Sequence, residues 1–320
     1  MKMKDVLVIL VMFAAAIFAL PFIGKISAGQ TDEPAAAPRF PDEIRVYLTE
    51  TQETVTVSAA EYIEGCLAAQ IPLDYEPEAL KAQAAASATY ALRIMSELRD
   101  SGDIPAGADI SDDKRVCQPY MPPQERESTY GADYSKYRGN ITAAADYGIS
   151  HIITYENRPI YAVYHSVSAG GTCPSEYVWG QSLPYLRSAD SPWDKNYINY
   201  KCTNELRSED IRLALAEYDS SLEVPVDPAR WFTDMNADEN GFVISVNIGS
   251  NSFSGGDLWR ILGLRSTAFT VTRSGNIFTF TTLGLGHGAG LSQYGANAMA
   301  QSGSTAEQIL RHYYGDDVSF

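Results

Sequence analysis

The chain has 320 residues, 40 of them Asp or Glu and 24 Lys or Arg, which gives a formal net charge of −16 at pH 7. Nucleic acid and anionic lipid surfaces call for clustered cations, so this balance excludes them as the main partner class. The four cysteines, Cys66, Cys117, Cys173 and Cys202, stand far apart with no CxxC pair, which removes a zinc ribbon.

Taken in chain order, residues 1–27 read as a short cytoplasmic stub and a signal-anchor helix. Lys2 and Lys4 precede an uncharged apolar run over residues 6–23. That run is about as long as a bilayer-crossing helix requires and longer than a signal-peptide core. The leading lysines favour an inside N-terminus, which predicts a single-pass anchor with everything after it exported. A cleaved signal is the alternative, because Ser27, Ala28 and Gly29 are small enough for a peptidase. Residues 28–41 are small, polar and proline-rich, the composition of a linker. Residues 42–320 then form the predicted folded domain, long enough to bury a sizeable core and more than one lobe.

Residues 44–48 and 54–57 alternate as two strands of a hairpin. Ser58 with Glu61 three residues later is a capping-box signal for a helix that Pro72 ends. A second helix is predicted from Pro77 through residues 78–99, with an alanine face at Ala79, Ala82 and Ala86 suited to close packing. Later segments read mainly as strands: 149–155, 160–167, 242–248, 269–273 and 277–282. A last helix is predicted over 305–314. Early helices and later, mainly antiparallel strands predict an α+β fold.

Four ordered blocks carry a family resemblance. They are EYIEGCLAAQIPLDYEPEALKAQAAASATYAL at 61–92, YHSVSAGGTCPSEYVWGQSLPYLRSADSPWD at 164–194, DLWRILGLRST at 257–267, and GLGHGAGLSQYGANAMAQSGSTAEQILRHYYG at 284–315. Together they resemble the stage II sporulation protein D family, which shares its signatures with amidase enhancers. The resemblance implies an elongated glycan-binding cleft and lytic transglycosylation of peptidoglycan during spore engulfment, at the mother-cell membrane facing the forespore. It also implies peptide-free glycan strands as substrate. The implied partners are the amidase stage II sporulation protein P and the membrane protein stage II sporulation protein M. In such chemistry one carboxylic acid protonates the glycosidic oxygen, and its carboxylate then assists attack by the sugar's own 6-hydroxyl.

Where the family's catalytic glutamate stands in Ala-Ala-Glu-Met-Pro, this chain has Ala68-Ala69-Gln70-Ile71-Pro72. An amide is too weak an acid to protonate a leaving group, so cleavage needs a substitute, with Glu76 and Asp74 the candidates, or else the chain binds glycan and activates an amidase without cutting. By resemblance His165, Ser166, Trp179, His287, Ser292, Gln293 and Tyr294 are candidate substrate contacts. His287 lies in a glycine-rich turn without the Lys-Ser/Thr of a phosphate loop. Some relatives hold a metal in the loop after the second helix. Here that loop keeps Cys117 without a nearby histidine, so no zinc or other cofactor is expected unless Cys173 or His165 joins it. A disulfide is allowed in an exported chain, Cys173 with Cys202 first.

Overall fold

A computed structural model describes residues 38–98 and 101–320, which gather into two compact units. One runs to Tyr164 and resumes over Ala296–Phe320; the other is His165–Gly295.

The first unit opens with the predicted hairpin. Strands β1 (Glu43–Leu48) and β2 (Glu53–Ser58) pair antiparallel from Glu43 opposite Ser58 to Leu48 opposite Glu53, and alternation turns Ile44 and Val46 into the core. Ser58 then caps α1 (Ala59–Gln70), its hydroxyl accepting from the Glu61 amide at 3.2 Å. Helix α2 (Pro77–Leu98) follows, and the short strand β3 (Ile110–Ser111) lies parallel to β1. Two helices come next that the sequence reading missed, α3 (Pro123–Tyr130) and α4 (Ala132–Ser150). The strand expected over 149–155 is thereby reduced to β4 (Thr154–Tyr155), paired with β5 (Arg158–Pro159). Of the strand expected over 160–167 only β6 (Tyr164–His165) is regular.

The α2 and α4 helices pack through small residues. A Cβ built on Gly148 of α4 would stand 2.6 Å from the carbonyl carbon of Ala84 on α2, so the backbones meet where a side chain would keep them apart. A buried ion pair braces the other side: Arg126, 2% exposed, donates to Glu64 at 3.1 Å and to the Met121 carbonyl at 3.0 Å, while Thr142 also donates to Glu64.

The second unit contains α5 (Ser175–Trp179), the 3-10 turn Pro192–Asn196, β7 (Lys201–Arg207) and α6 (Ser208–Tyr218). Strands β8 (Trp231–Ala237), β9 (Val243–Ile248) and β10 (Asn251–Phe253) form one antiparallel sheet. Helix α7 (Gly255–Leu262) leads to β11 (Ala268–Ser274) and β12 (Ile277–Leu283), which make a second antiparallel sheet with β7. Trp231, Val246, Leu258, Phe269, Phe278 and Phe280 are central to this unit's core. After β13 (Leu291–Ser292), α8 (Gln293–Gln301) carries the chain back to the first unit, where α9 (Ala306–Tyr314) is capped by Thr305 and Gln308 reciprocally.

The α+β class stands, and the described residues bring no transmembrane helix with it. Among the described residues no helix is long and apolar enough to cross a membrane. The longest described, α2, carries Glu78, Lys81, Arg93 and Glu97 within its 22 residues and buries its alanines against protein. Such charge is what a spanning segment lacks. The single-pass anchor expected over residues 6–23, and the location inferred from it, are corrected accordingly; that stretch lies outside the described residues.

Candidate functional site

Gln70 is the last residue of α1, and the extended conformation of Ile71 before Pro72 stops the helix there. Its side chain is 5% exposed. Both ends of the amide are engaged: Nε2 donates to the Pro119 carbonyl at 3.0 Å, and Oε1 accepts from the Tyr164 hydroxyl. Tyr164 also lies 2.7 Å from Gln118 Oε1, so its one proton is divided between two amide oxygens. Gln118 in turn donates to the Tyr62 hydroxyl at 3.2 Å and the Ser87 carbonyl at 3.0 Å. Burial pushes the Tyr164 phenol well up, so it stays a donor. This socket asks residue 70 for one donor and one acceptor. A carboxamide meets the demand, and so does a protonated carboxyl, whereas an ionised carboxylate would set a second acceptor against the Pro119 carbonyl.

Asp74 and Glu76 are both exposed, on the segment between α1 and α2, and not in the apolar setting an acid for this chemistry needs. The Glu76 amide donates to Asn297 Oδ1 at 2.8 Å. Glu78 is occupied as well, accepting from Lys81 at 2.7 Å and from the Ala306 amide at 2.8 Å, which holds its carboxyl below the ordinary range.

In the second unit the glycine turn brings His165, His287 and Trp179 together. Ring centroids are 5.7 Å apart for the two histidines and 5.2 Å for Trp179 and His287. Gly286 makes this approach possible: its φ is 107°, and a Cβ there would stand 2.9 Å from that of His165. His165 Nδ1 sits 3.0 Å from the Ala289 carbonyl, which places the proton on Nδ1 and leaves a bare lone pair on Nε2. That Nε2 is buried without a hydrogen-bond partner. Burial first, and His287 second, press the His165 imidazole down to about 3. His287 takes the opposite tautomer, its Nδ1 accepting from the Ala289 amide at 3.1 Å.

Ser166, Trp179 and Tyr294 are half-buried, while Ser292 and Gln293 are buried. The Tyr294 amide donates to the Ser166 carbonyl at 3.0 Å, and the Tyr294 ring meets Tyr197 edge-on at 5.3 Å. Ser292 instead donates to a residue that the sequence reading passed over. Asp194, fully buried, accepts hydroxyls from Ser292 at 2.7 Å, from Ser168 at 2.9 Å and from Ser191. Burial raises its carboxyl, and the three hydroxyls oppose that shift. Its signal was the Ser-x-x-Asp pattern at Ser191, although in the structure Ser191 makes no side-chain cap and gives its hydroxyl to the Asp194 carboxylate instead.

The protein is 33% identical to stage II sporulation protein D of Bacillus amyloliquefaciens over 330 aligned residues, covering 98% of this chain and 93% of the relative. The chain belongs to the stage II sporulation protein D family. The protein of that name from Bacillus subtilis is 36% identical over 275 residues, 86% of this chain and 78% of the relative. A family model described as Stage II sporulation protein matches residues 47–155, the stretch of the first unit that includes Gln70, Gln118 and Pro119. More distant is the amidase enhancer of Bacillus subtilis, 24% identical over 79% of this chain and 39% of the relative.

Among the described residues of this sporulation-family protein, no three His, Cys, Asp or Glu side chains gather so as to hold a metal. Cys117 is buried, accepts from the Ser111 amide at 3.5 Å, and has its thiol pushed up to about 12 by burial, which disfavours the thiolate a metal would need. All four cysteines are free, so the Cys173–Cys202 disulfide is not formed.

Proposed function

We propose that this protein binds the glycan strands of peptidoglycan during spore engulfment and presents them to a peptidoglycan amidase without itself cutting them. The observation that carries the binding reading over the cleaving one is the Gln70 amide, committed at both ends and without a proton acidic enough for a leaving group. The relatives named stage II sporulation protein D support the sporulation setting, and the one named amidase enhancer supports an amidase as partner. By resemblance that amidase is stage II sporulation protein P, with stage II sporulation protein M in the same assembly and peptide-free strands as the ligand. Ser166, Trp179 and Tyr294, half-exposed in the second unit, are the side chains proposed to touch sugar; His165, His287, Ser292 and Gln293 shape the ground they stand on.

A second reading, lytic transglycosylation, draws support from the socket itself, which would accept a protonated carboxyl in place of the amide. Both readings meet in one experiment. The full chain and its Gln70→Glu variant are incubated with peptide-free glycan strands, strand retention is measured, and products are examined by mass spectrometry for anhydro-muramic ends. The expected result is retention by both proteins and anhydro ends from Gln70→Glu alone. Anhydro ends from the native chain would sink the non-cutting reading, and failure of the native chain to retain strands would sink glycan binding.

A further inference from the structure

Strand β7 (Lys201–Arg207) lies at one edge of its sheet, where the strand order is β11-β12-β7. At its two ends the Gly284 amide donates to the Tyr200 carbonyl and the Ser208 amide to the Asn276 carbonyl, each at 2.8 Å and in line with the β7–β12 register. Bonded pairs alternate along an antiparallel ladder, so the even-numbered residues of β7 turn their amides and carbonyls to β12 and the odd-numbered ones turn theirs outward. The Thr282 hydroxyl agrees, donating to the Cys202 carbonyl at 3.3 Å. Among the described residues nothing bonds the outward amides and carbonyls of Lys201, Thr203 and Glu205, and all three residues are exposed. The opposite edge differs, since β11 is met at Ala268 by Phe242.

Such a row of unbonded backbone groups is a template for another strand. Leu206 packs on the core of its unit, so Lys201, Thr203, Glu205 and Arg207, alternate to it, share the solvent face. Their charges complement one another in one antiparallel register of the strand against itself. Lys201 then stands opposite the partner's Glu205, Thr203 opposite the partner's Thr203, and Glu205 opposite the partner's Lys201. All are outward residues, so each facing pair exchanges two backbone hydrogen bonds. Opposite charges and paired threonines stabilise such contacts. A slip that sets Lys201 against Arg207 puts like charges face to face, and the reverse slip leaves Glu205 beyond the partner strand. Neither Lys201 nor Glu205 has an ion pair within the described chain. With two cations to one anion, β7 is also a place where chains of net charge −16 can meet without acid facing acid.

We propose that β7 joins two copies of this chain about a twofold axis at Thr203, so that the sheet β11-β12-β7 continues into the β7-β12-β11 of the partner. The axis brings the Lys201 end of each strand, preceded by Ile198 at 90% exposure, to the Arg207 end of the other. The pairing depends neither on glycan binding nor on the residue at position 70.

The test follows the mass of the full chain by light scattering across a concentration series. The native chain is expected to pass from monomer to dimer. Lys201→Glu and Glu205→Lys should each weaken the dimer by about tenfold, because each places like charges opposite one another at two sites, and the double exchange should restore it. Thr203→Pro removes an outward amide, leaves the β12 ladder whole, and should abolish the dimer. In a Cys202→Ser background Thr203→Cys should form a disulfide with its counterpart under mild oxidation, since the residues of a bonded pair stand about 5.5 Å apart at Cα; Glu205→Cys should not. A native chain that stays monomeric would overturn the proposal and leave the edge to a strand of another protein. A dimer indifferent to Thr203→Pro would place the association elsewhere in the chain. One that Lys201→Glu strengthens would set Lys201 against Arg207 and overturn the register.

Discussion

His165 is the side chain whose chemistry depends most on its surroundings. A free imidazole titrates near 6.5, whereas burial beside His287 brings this one to about 3. With the folded value depressed, the unfolded chain takes up a proton that the folded one refuses. The stability contributed by the neutral ring is therefore present above about pH 6.5 and is lost as the pH falls toward 3, by up to about 1.4 kcal/mol per pH unit. Denaturant titrations at stepped pH should show a shallower acid limb for His165→Gln than for the native chain; identical limbs would assign the acid loss to other groups. Gln70 is the contrasting case. Its identity could be read from the motif alone, yet that its amide is tied to Pro119 and Tyr164 depends on residues far along the chain. Asp194 was harder still, because a buried acceptor of three hydroxyls looks in sequence like one more acid among 40.

At the level of elements, α4 offers two glycines with opposite expectations. Gly139 has open space where a Cβ would go, so Gly139→Ala should stabilise by about 0.5 to 1 kcal/mol through helix propensity. At Gly148 the same change drives a methyl into the α2 backbone at Ala84, an overpacking cost of about 1 to 3 kcal/mol that outweighs the propensity gain. Shifts of the urea midpoint in opposite directions are expected, and equal shifts would mean that the α2–α4 approach is looser than described. The α4 helix escaped the sequence reading because its buried side chains are few and mostly small, Tyr134, Ile141, Ala144, Ala145 and Gly148, too faint a period to register. Strand β8 shows a different failure of pattern. Phe232 has a φ of 54°, so the alternation breaks and neighbouring Trp231 and Phe232 both rest on Phe278, at 5.5 and 5.1 Å.

For the whole molecule, the net charge of −16 has a consequence for stability as well as for partners. Like charges spread over the folded surface repel, and salt shortens their reach to about 8 Å at physiological strength. Raising sodium chloride from low to physiological concentration should lift the Tm by about 2 °C, the equivalent of under 1 kcal/mol; an unchanged or lower Tm would mean that ion pairs, not repulsion, dominate the electrostatics. The sequence by itself determined what local chemistry can determine: the first hairpin from alternation, the capped start of α1, the place of the last helix, the α+β class, the family blocks and the missing acid at position 70. Only the tertiary structure decided the division into two units, the helices over 123–150, the lone pair on His165 and the hydroxyls around Asp194. Caps and alternating strands are written in residues a few positions apart. A hydrogen bond such as that between Ser292 and Asp194 joins residues 98 positions apart, and folding alone determines which distant groups meet.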